Sequence, residues 1–432
     1  MLLRFRVANY RSLRHEQELS LVATEFNEGT ARPTGVRADG REVKALPVAG
    51  IYGANASGKS NVLLAMQAMQ EAVRSSLAEW ALEEGVPREP FALSSKAREE
   101  TTLFEVDLLL GRDRIRYTYG FELSDERIEA EWLHAYPHRH RQTWFDRDAS
   151  QSGDAQFSFP GEGMKGTKRE KEQLAEFTRA NSLLLTVAAS LNHPQLSVVH
   201  RWLSSQLMIL TPGAPGSGWL HAQRLSRVAQ PAGTGQPDER ELDRMVKLLQ
   251  KADLGIAGVL VDPSKPAESR VRLLHHRDGD SPLPLDLASQ ESRGTLAWFN
   301  HLGPVLHALD EGSVLVIDEL DASLHPALSA ELIRLFRDPQ SNPRTAQLIF
   351  TTHDATLLGS AMLERPLDRD EVWITSKSRT GETALYPLID ARPRKEENLE
   401  RGYLRGRYGG IPRVAVGDMA RQVADSIMVS DE

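Results

Sequence analysis

The sequence predicts an α/β protein built on a largely parallel sheet with helices on its faces. Its last third alternates short apolar runs with helical stretches: a strand at 313–317, a helix after Pro326, a strand at 347–351, a short helix, and strands at 371–375 and 383–388. Crossover connections between parallel strands produce that alternation. A further buried strand, at 47–52, runs directly into a glycine-rich turn followed by an amphipathic helix. The third observation is where polar residues fall. Asp318-Glu319 and His353-Asp354 each stand at the end of an apolar strand, the end at which open parallel sheets bind ligands.

From the N-terminus, residues 2–8 and 17–23 run apolar or alternate over short lengths and are expected to pair as an opening hairpin. A helix is expected from Ser60 to about Leu82, with Val62, Leu63, Ala65, Met66, Met69, Val73 and Leu77 on one stripe. β-Branched and aromatic residues are frequent over 101–145, where 103–110, 114–123 and 128–136 read as successive antiparallel strands. Residues 148–167 are polar and rich in glycine and serine, which predicts a loop. Helical periodicity returns over 168–210, and the prolines and glycines of 211–236 predict a linker or long surface loop. A helix at 239–251 and strands at 256–261 and 270–275 follow, and there is no internal repeat or long heptad run.

Composition narrows the function classes. The chain has 432 residues, 40% hydrophobic and 26% charged, enough for two or three lobes of an ordinary soluble protein. No apolar run approaches the roughly 20 residues of a membrane-spanning helix. Arginines interrupt the opening MLLRFRVANYRSLR, so no signal peptide is expected. Without cysteine, disulfides and thiolate metal sites are excluded, and the expected location is cytoplasmic. A formal net charge of −8 argues against a chain that grips nucleic acid with its whole surface. The basic segments His138-Arg139-His140-Arg141 and 401–413 leave room for a local nucleic-acid contact, but such runs are commonly solvated faces.

Gly53-Ala54-Asn55-Ala56-Ser57-Gly58-Lys59-Ser60 fits G-x-x-x-x-G-K-S/T at every fixed position. Glycines let the backbone curl until successive amides converge on phosphate oxygens. The helix that begins there adds its positive end, and Asn61 continues it. Lys59 is expected to reach the β- and γ-phosphates and the Ser60 hydroxyl to bind Mg²⁺. Val314-Leu315-Val316-Ile317-Asp318-Glu319 is an apolar strand ending in two carboxylates. Asp318 is expected to hold Mg²⁺ and Glu319 to orient the attacking water, because phosphoryl transfer needs positioning and charge compensation more than covalent chemistry. His353, one strand later, is placed to sense the γ-phosphate.

These motifs, with Leu320-Asp321-Ala322-Ser323-Leu324-His325-Pro326 after the acidic pair, resemble an ABC-type ATPase head. The nearest likeness is to short SMC-like and OLD-like AAA-family proteins, including those linked to restriction and phage-defence loci. Phe5…Asn9-Tyr10-Arg11-Ser12 and Gly402-Tyr403-Leu404…Gly406-Arg407-Tyr408-Gly409…Ile411-Pro412 are similar to that defence-linked group. The resemblance implies an ABC-type P-loop NTPase head, α/β, with a mixed sheet, flanking helices, an antiparallel β subdomain and a mainly helical insert. Its divisions are expected at 1–146 (Walker A lobe with the β subdomain), 147–285 (insert and linkers), 286–392 (signature, Walker B, D-loop and switch histidine) and 393–432 (tail).

The same resemblance assigns roles. ATP and Mg²⁺ are the implied ligands, and hydrolysis to ADP and phosphate the implied reaction. Ser289-Gln290-Glu291-Ser292-Arg293-Gly294-Thr295 is similar to the signature motif that closes on a partner's nucleotide: Ser292 and Gly294 survive, but Arg293 stands where a second glycine is usual. An ordinary helix N-cap is the alternative for Ser292. Asp321 would be the D-loop acid and Arg11 a nucleotide-contacting arginine, while Gln173 and Gln195 are candidates for a Q-loop glutamine. The implied partners are a second copy, joined through ATP-sandwiched heads as a homodimer or larger homo-oligomer, and a separately encoded nuclease or toxin, with no membrane partner. That makes the leading reading an ATP-driven switch or sensor in anti-phage defence. A DNA-repair or DNA-end-binding ATPase and a slow-hydrolysing assembly scaffold stay open as alternatives. Asp368-Arg369-Asp370 has D-x-D metal spacing, but it precedes a strand and lacks an evident glutamate partner, so no nuclease is expected in this chain.

Overall fold

The computed structural model describes residues 1–38, 40–82, 84–137, 140–151, 153–160, 163–211, 239–262, 264–265, 271–279, 281–359, 365–412 and 417–423. In chain order, β1 (Leu2–Ala8), β2 (Gln17–Ser20), β3 (Arg32–Ala38), β4 (Arg41–Ala45) and β5 (Val48–Gly53) lead into helix α1 (Lys59–Ser75). A short helix α2 (Ser95–Glu99) precedes β6 (Thr102–Leu110), β7 (Ile115–Leu123), β8 (Ile128–Ala135), β9 (Gln142–Asp148) and β10 (Phe157–Ser158). Helices α3 (Lys168–Phe177), α4 (Leu184–Ser190) and α5 (Leu196–Arg201) come before β11 (Leu207–Leu210). Then follow α6 (Glu239–Ala252), β12 (Ile256–Val261), β13 (Val271–His275), β14 (Leu283–Asp286) and α7 (Arg293–Glu311). The last part holds β15 (Val314–Ile317), α8 (Pro326–Arg337), β16 (Gln347–Thr352), β17 (Val372–Lys377), β18 (Thr383–Pro387) and α9 (Leu399–Leu404).

Two large sheets organise these elements. The central one runs β11-β15-β16-β5-β17-β18, parallel except for the β17–β18 pair. Its strands are continuous apolar runs because both faces are covered. Val316, Ile349, Ala49 and Ile51 point into one core, shared with α1 and the second sheet. Leu315, Ile317, Leu348, Phe350 and Tyr52 point into another, closed by α6, α7, α8 and α9. The second sheet, β10-β9-β8-β7-β6-β1-β2, is antiparallel throughout. A three-stranded sheet, β12-β13-β14, carries α6 and leads into α7. The fold is α/β, a largely parallel central sheet with flanking helices beside an antiparallel β subdomain.

Three expectations change. The first helix stops at Ser75 rather than near Leu82. There the Ser76 hydroxyl takes the amide of Leu183 (3.3 Å) and the chain turns. The 147–285 segment carries strands as well as helices. Its helices α4 and α5 bury Leu184, Leu185, Leu196 and Val199 in the core of α1 and the antiparallel sheet. Its residues 207–210 are a strand of the central sheet, not a helix end. Four apolar residues in a row do not distinguish a buried strand from a buried helical turn. Finally, Asp368, Asp370 and Glu371 are a buried structural network: Arg337 meets Asp368 at 2.6 Å and Glu371 at 3.3 Å, and Asp370 accepts the amide of Thr24 at 2.9 Å. Beyond Thr211 the expected 211–236 linker lies outside the described residues, as do His138, Arg139 and Arg413. No helix among the described residues is long and apolar enough to cross a membrane.

Candidate functional site

The register of the central sheet assembles the site. β5, β15 and β16 are parallel neighbours, with Ile317 level with Phe350 and Thr351 level with Ile51. Their carboxyl ends therefore place Gly53, Asp318 and His353 along one edge, the mouth of an open α/β sheet.

The loop after β5 is held from beneath. The Ser57 hydroxyl bonds that of Thr375 on β17 (2.6 Å), and Thr383 on β18 donates to the Ser57 carbonyl (2.9 Å). Thr383 also bonds the Ser12 hydroxyl (2.7 Å), which accepts from Asn61 (2.6 Å). Gly58 is the N-cap of α1, with φ of 105°. A Cβ there would stand 2.1 Å from Thr383 Oγ1, so left-handed backbone and close packing both demand glycine. No side chain caps α1, which leaves its first amides as donors for an anion. Asn55 and Ala56 are exposed on the rim, with Ala54 half-buried. Lys59 is buried, and its ammonium donates to the carbonyls of Gly53 (3.0 Å) and Ala54 (3.2 Å). Burial lowers its pKa, opposed by the carboxylates of Asp318, Glu319 and Asp321.

Across from the loop, Asp318 Oδ1 accepts from Ser60 Oγ (3.1 Å) and Thr351 Oγ1 (2.5 Å). The Thr351 hydroxyl in turn accepts the amide of Glu319 (2.7 Å). One buried threonine thus orients both acids. Glu319 sits at φ 55°, a conformation that costs a non-glycine residue of order 1–3 kcal/mol. It turns the chain sharply after β15, leaving Glu319 exposed at the mouth while Asp318 stays half-buried. Asp321 accepts the amide of His353 at 3.3 Å to each oxygen. Partial burial and the charge of Lys59 lower the pKa of His353, so its ring is neutral at neutral pH.

Residues outside the motifs complete the support. Tyr403 packs edge-on against Tyr52 (5.7 Å between centroids) and donates to the Gly410 carbonyl (3.1 Å). The tail motif is thereby a prop under β5.

Arg11 is held by Glu89, and the signature residues begin α7. The Arg11 guanidinium makes two bonds to Glu89, at 2.8 and 2.9 Å. Ser292 caps α7 through the Thr295 amide (3.0 Å) and is exposed. Gly294 lies so close to the Ser323 carbonyl that a Cβ would stand 3.3 Å from it. Gln195 bonds Lys165 and Gly163, and Gln173 lies on α3. Residues 212–238, which follow β11, lie outside the described residues. Sequence reasoning gave no role to Thr351, Thr375 and Thr383, and named Ser12 only as part of the opening motif. Only the hydroxyls at the ends of β16 and β17 hinted at them.

A family model described as "AAA domain, putative AbiEii toxin, Type IV TA system" matches residues 48–359. The chain belongs to that AAA-domain family. This AAA domain also aligns with solved SMC heads. With one bound to the C-winged helix domain of ScpA it shares 13% identity over 90% of this chain and 99% of the other, at a TM-score of 0.44. With the SMC head domain from Thermotoga maritima the figures are 11%, 89%, 98% and 0.38. With a Pyrococcus furiosus Smc head bound to the C-terminal domain of ScpA they are 12%, 90%, 97% and 0.41. No curated protein matches the sequence.

Proposed function

We propose that this AAA domain is an ATP-hydrolysing switch. In this reading ATP binds at the 53–60 loop and brings two heads together, hydrolysis separates them, and a separately encoded effector reads the difference. The observation that carries it is the chain of hydrogen bonds Ser60–Asp318–Thr351–Glu319. A hydroxyl and a carboxylate 3.1 Å apart on facing elements suit an octahedral oxygen-loving cation, and the uncapped amides of α1 suit phosphate oxygens. Mg²⁺ held by Ser60 and Asp318 would neutralise charge on the phosphates.

The chain's own residues divide the work. Lys59 exchanges its loop carbonyls for the β- and γ-phosphates. Glu319, aimed by its left-handed backbone and by Thr351, accepts a hydrogen bond from the attacking water and sets its line of approach. His353, neutral and tied through its amide to Asp321, contacts the γ-phosphate and links its presence to the D-loop. The exposed Ser292 and the half-buried Gly294 face a partner's nucleotide. The family's description names a putative toxin of a type IV toxin–antitoxin system; in this reading the effector is a separately encoded nuclease or toxin that acts in defence.

Glu319→Gln tests the reading. ATP affinity should persist, turnover should fall at least about 100-fold, and ATP-bound oligomers should accumulate in light scattering. Normal turnover in this variant would refute the water-positioning role. Lys59→Ala should instead weaken ATP binding itself, measured by calorimetry.

A further inference from the structure

We infer that Asp253, His275 and Glu291 form a second divalent-cation site, away from the phosphate loop, at the root of the helix that carries Ser292 and Gly294. The three side chains come from separate elements: Asp253 from the turn after α6, His275 from the last position of β13, Glu291 from just before α7. Each brings one donor atom, and these atoms lie within 4.8 Å of one another, the spread of ligands around one small metal ion.

Charge and space support the assignment. The Glu291 side chain is 4% exposed and meets His275 Nε2 at 2.7 Å. Burying a carboxylate without a compensating cation is costly. A divalent ion would offset the charge of carboxylates placed this close together. Gly255 keeps the space open: a Cβ there would stand 3.1 Å from Asp253 Oδ1 and 3.3 Å from His275 Nδ1. The Gly255 amide donates to Asp253 Oδ1 at 2.9 Å, orienting that carboxylate as a supporting shell does for a ligand.

The donor set selects the ion. One imidazole with two carboxylates suits Zn²⁺ or Mn²⁺ better than the all-oxygen preference of Mg²⁺ and Ca²⁺. Three protein ligands leave a further position for water. Such an ion would pin the three-stranded sheet to Glu291, the residue before the N-cap of α7, fixing how Ser292 and Gly294 are presented.

The test uses full-length protein dialysed against chelator and titrated with Co²⁺, followed by visible absorption and calorimetry, then with Zn²⁺ as competitor. Expected are one Co²⁺ per chain with a ligand-field spectrum, displacement by Zn²⁺, and a higher thermal midpoint with Zn²⁺. Asp253→Asn, His275→Gln and Glu291→Gln should each weaken binding at least about tenfold, while Asp318→Asn keeps the spectrum. No saturable binding, or binding unchanged in all three variants, overturns the site. A spectrum lost in Asp318→Asn and kept in Glu291→Gln would move the metal to the phosphate loop and overturn it as well. Should the variants fail to fold, a wild-type thermal midpoint indifferent to Zn²⁺ overturns it.

Discussion

Replacing Thr351 by valine removes one hydroxyl and almost nothing else. The side chain is fully buried, valine has nearly its shape, and β16 keeps its backbone pairing with β15 and β5. Lost are the 2.5 Å bond to Asp318 Oδ1 and the 2.7 Å bond from the Glu319 amide. A hydrogen bond to a charged partner contributes about 1.5–3 kcal/mol. Asp318 keeps Ser60 as a partner, so the lower figure is the better guide. If that free energy appears in the hydrolytic step, kcat falls about tenfold. ATP affinity should change less than about threefold, because Lys59 and the loop amides are untouched. Thr351→Ser restores the hydroxyl and should recover most of the rate. Steady-state phosphate release with ATP-binding calorimetry measures both quantities. A folded Thr351→Val protein that hydrolyses ATP within twofold of the parent would show that Thr351 does not orient the acids.

Two further outcomes follow from the same geometry. Gly58→Ala sets a methyl 2.1 Å from Thr383 Oγ1 at a φ of 105°, so ATP affinity should drop by at least about tenfold, or ~1.4 kcal/mol; unchanged binding by calorimetry would mean the loop is not locked against β18. Glu371, buried beside Asp368 and Arg337, is pushed up to about 8 chiefly by burial, well above its unfolded value. Its folded form therefore holds the proton more tightly, so the stabilisation is complete below the unfolded pKa and is lost as pH rises through about 8. Thermal midpoints should fall from pH 5 to pH 9, and Glu371→Gln should flatten that decline; an equal slope in the variant would contradict the assignment.

The fold and the site were unequally legible in the sequence. The strand-loop-helix at 48–75 and the strands at 314–317 and 347–352 could be read locally, because each carries its own periodicity and ends at its own polar residue. The opening hairpin and the strands at 102–135 were legible for the same reason. The 207–210 strand was not, since its place is set by pairing with a strand more than a hundred residues later.

What the sequence by itself determined is the phosphate loop and the acidic pair, because in both the chemistry depends on residues adjacent in the chain. Only the tertiary structure decided what holds them. Thr351 orients Asp318 and Glu319 from the next strand, Thr375 and Thr383 grip the loop from strands over three hundred residues away, and Asp253, His275 and Glu291 converge from three elements. A lone threonine or histidine has no sequence signature of its own. Its meaning comes from sheet register and crossover geometry, which bring distant side chains within hydrogen-bonding reach.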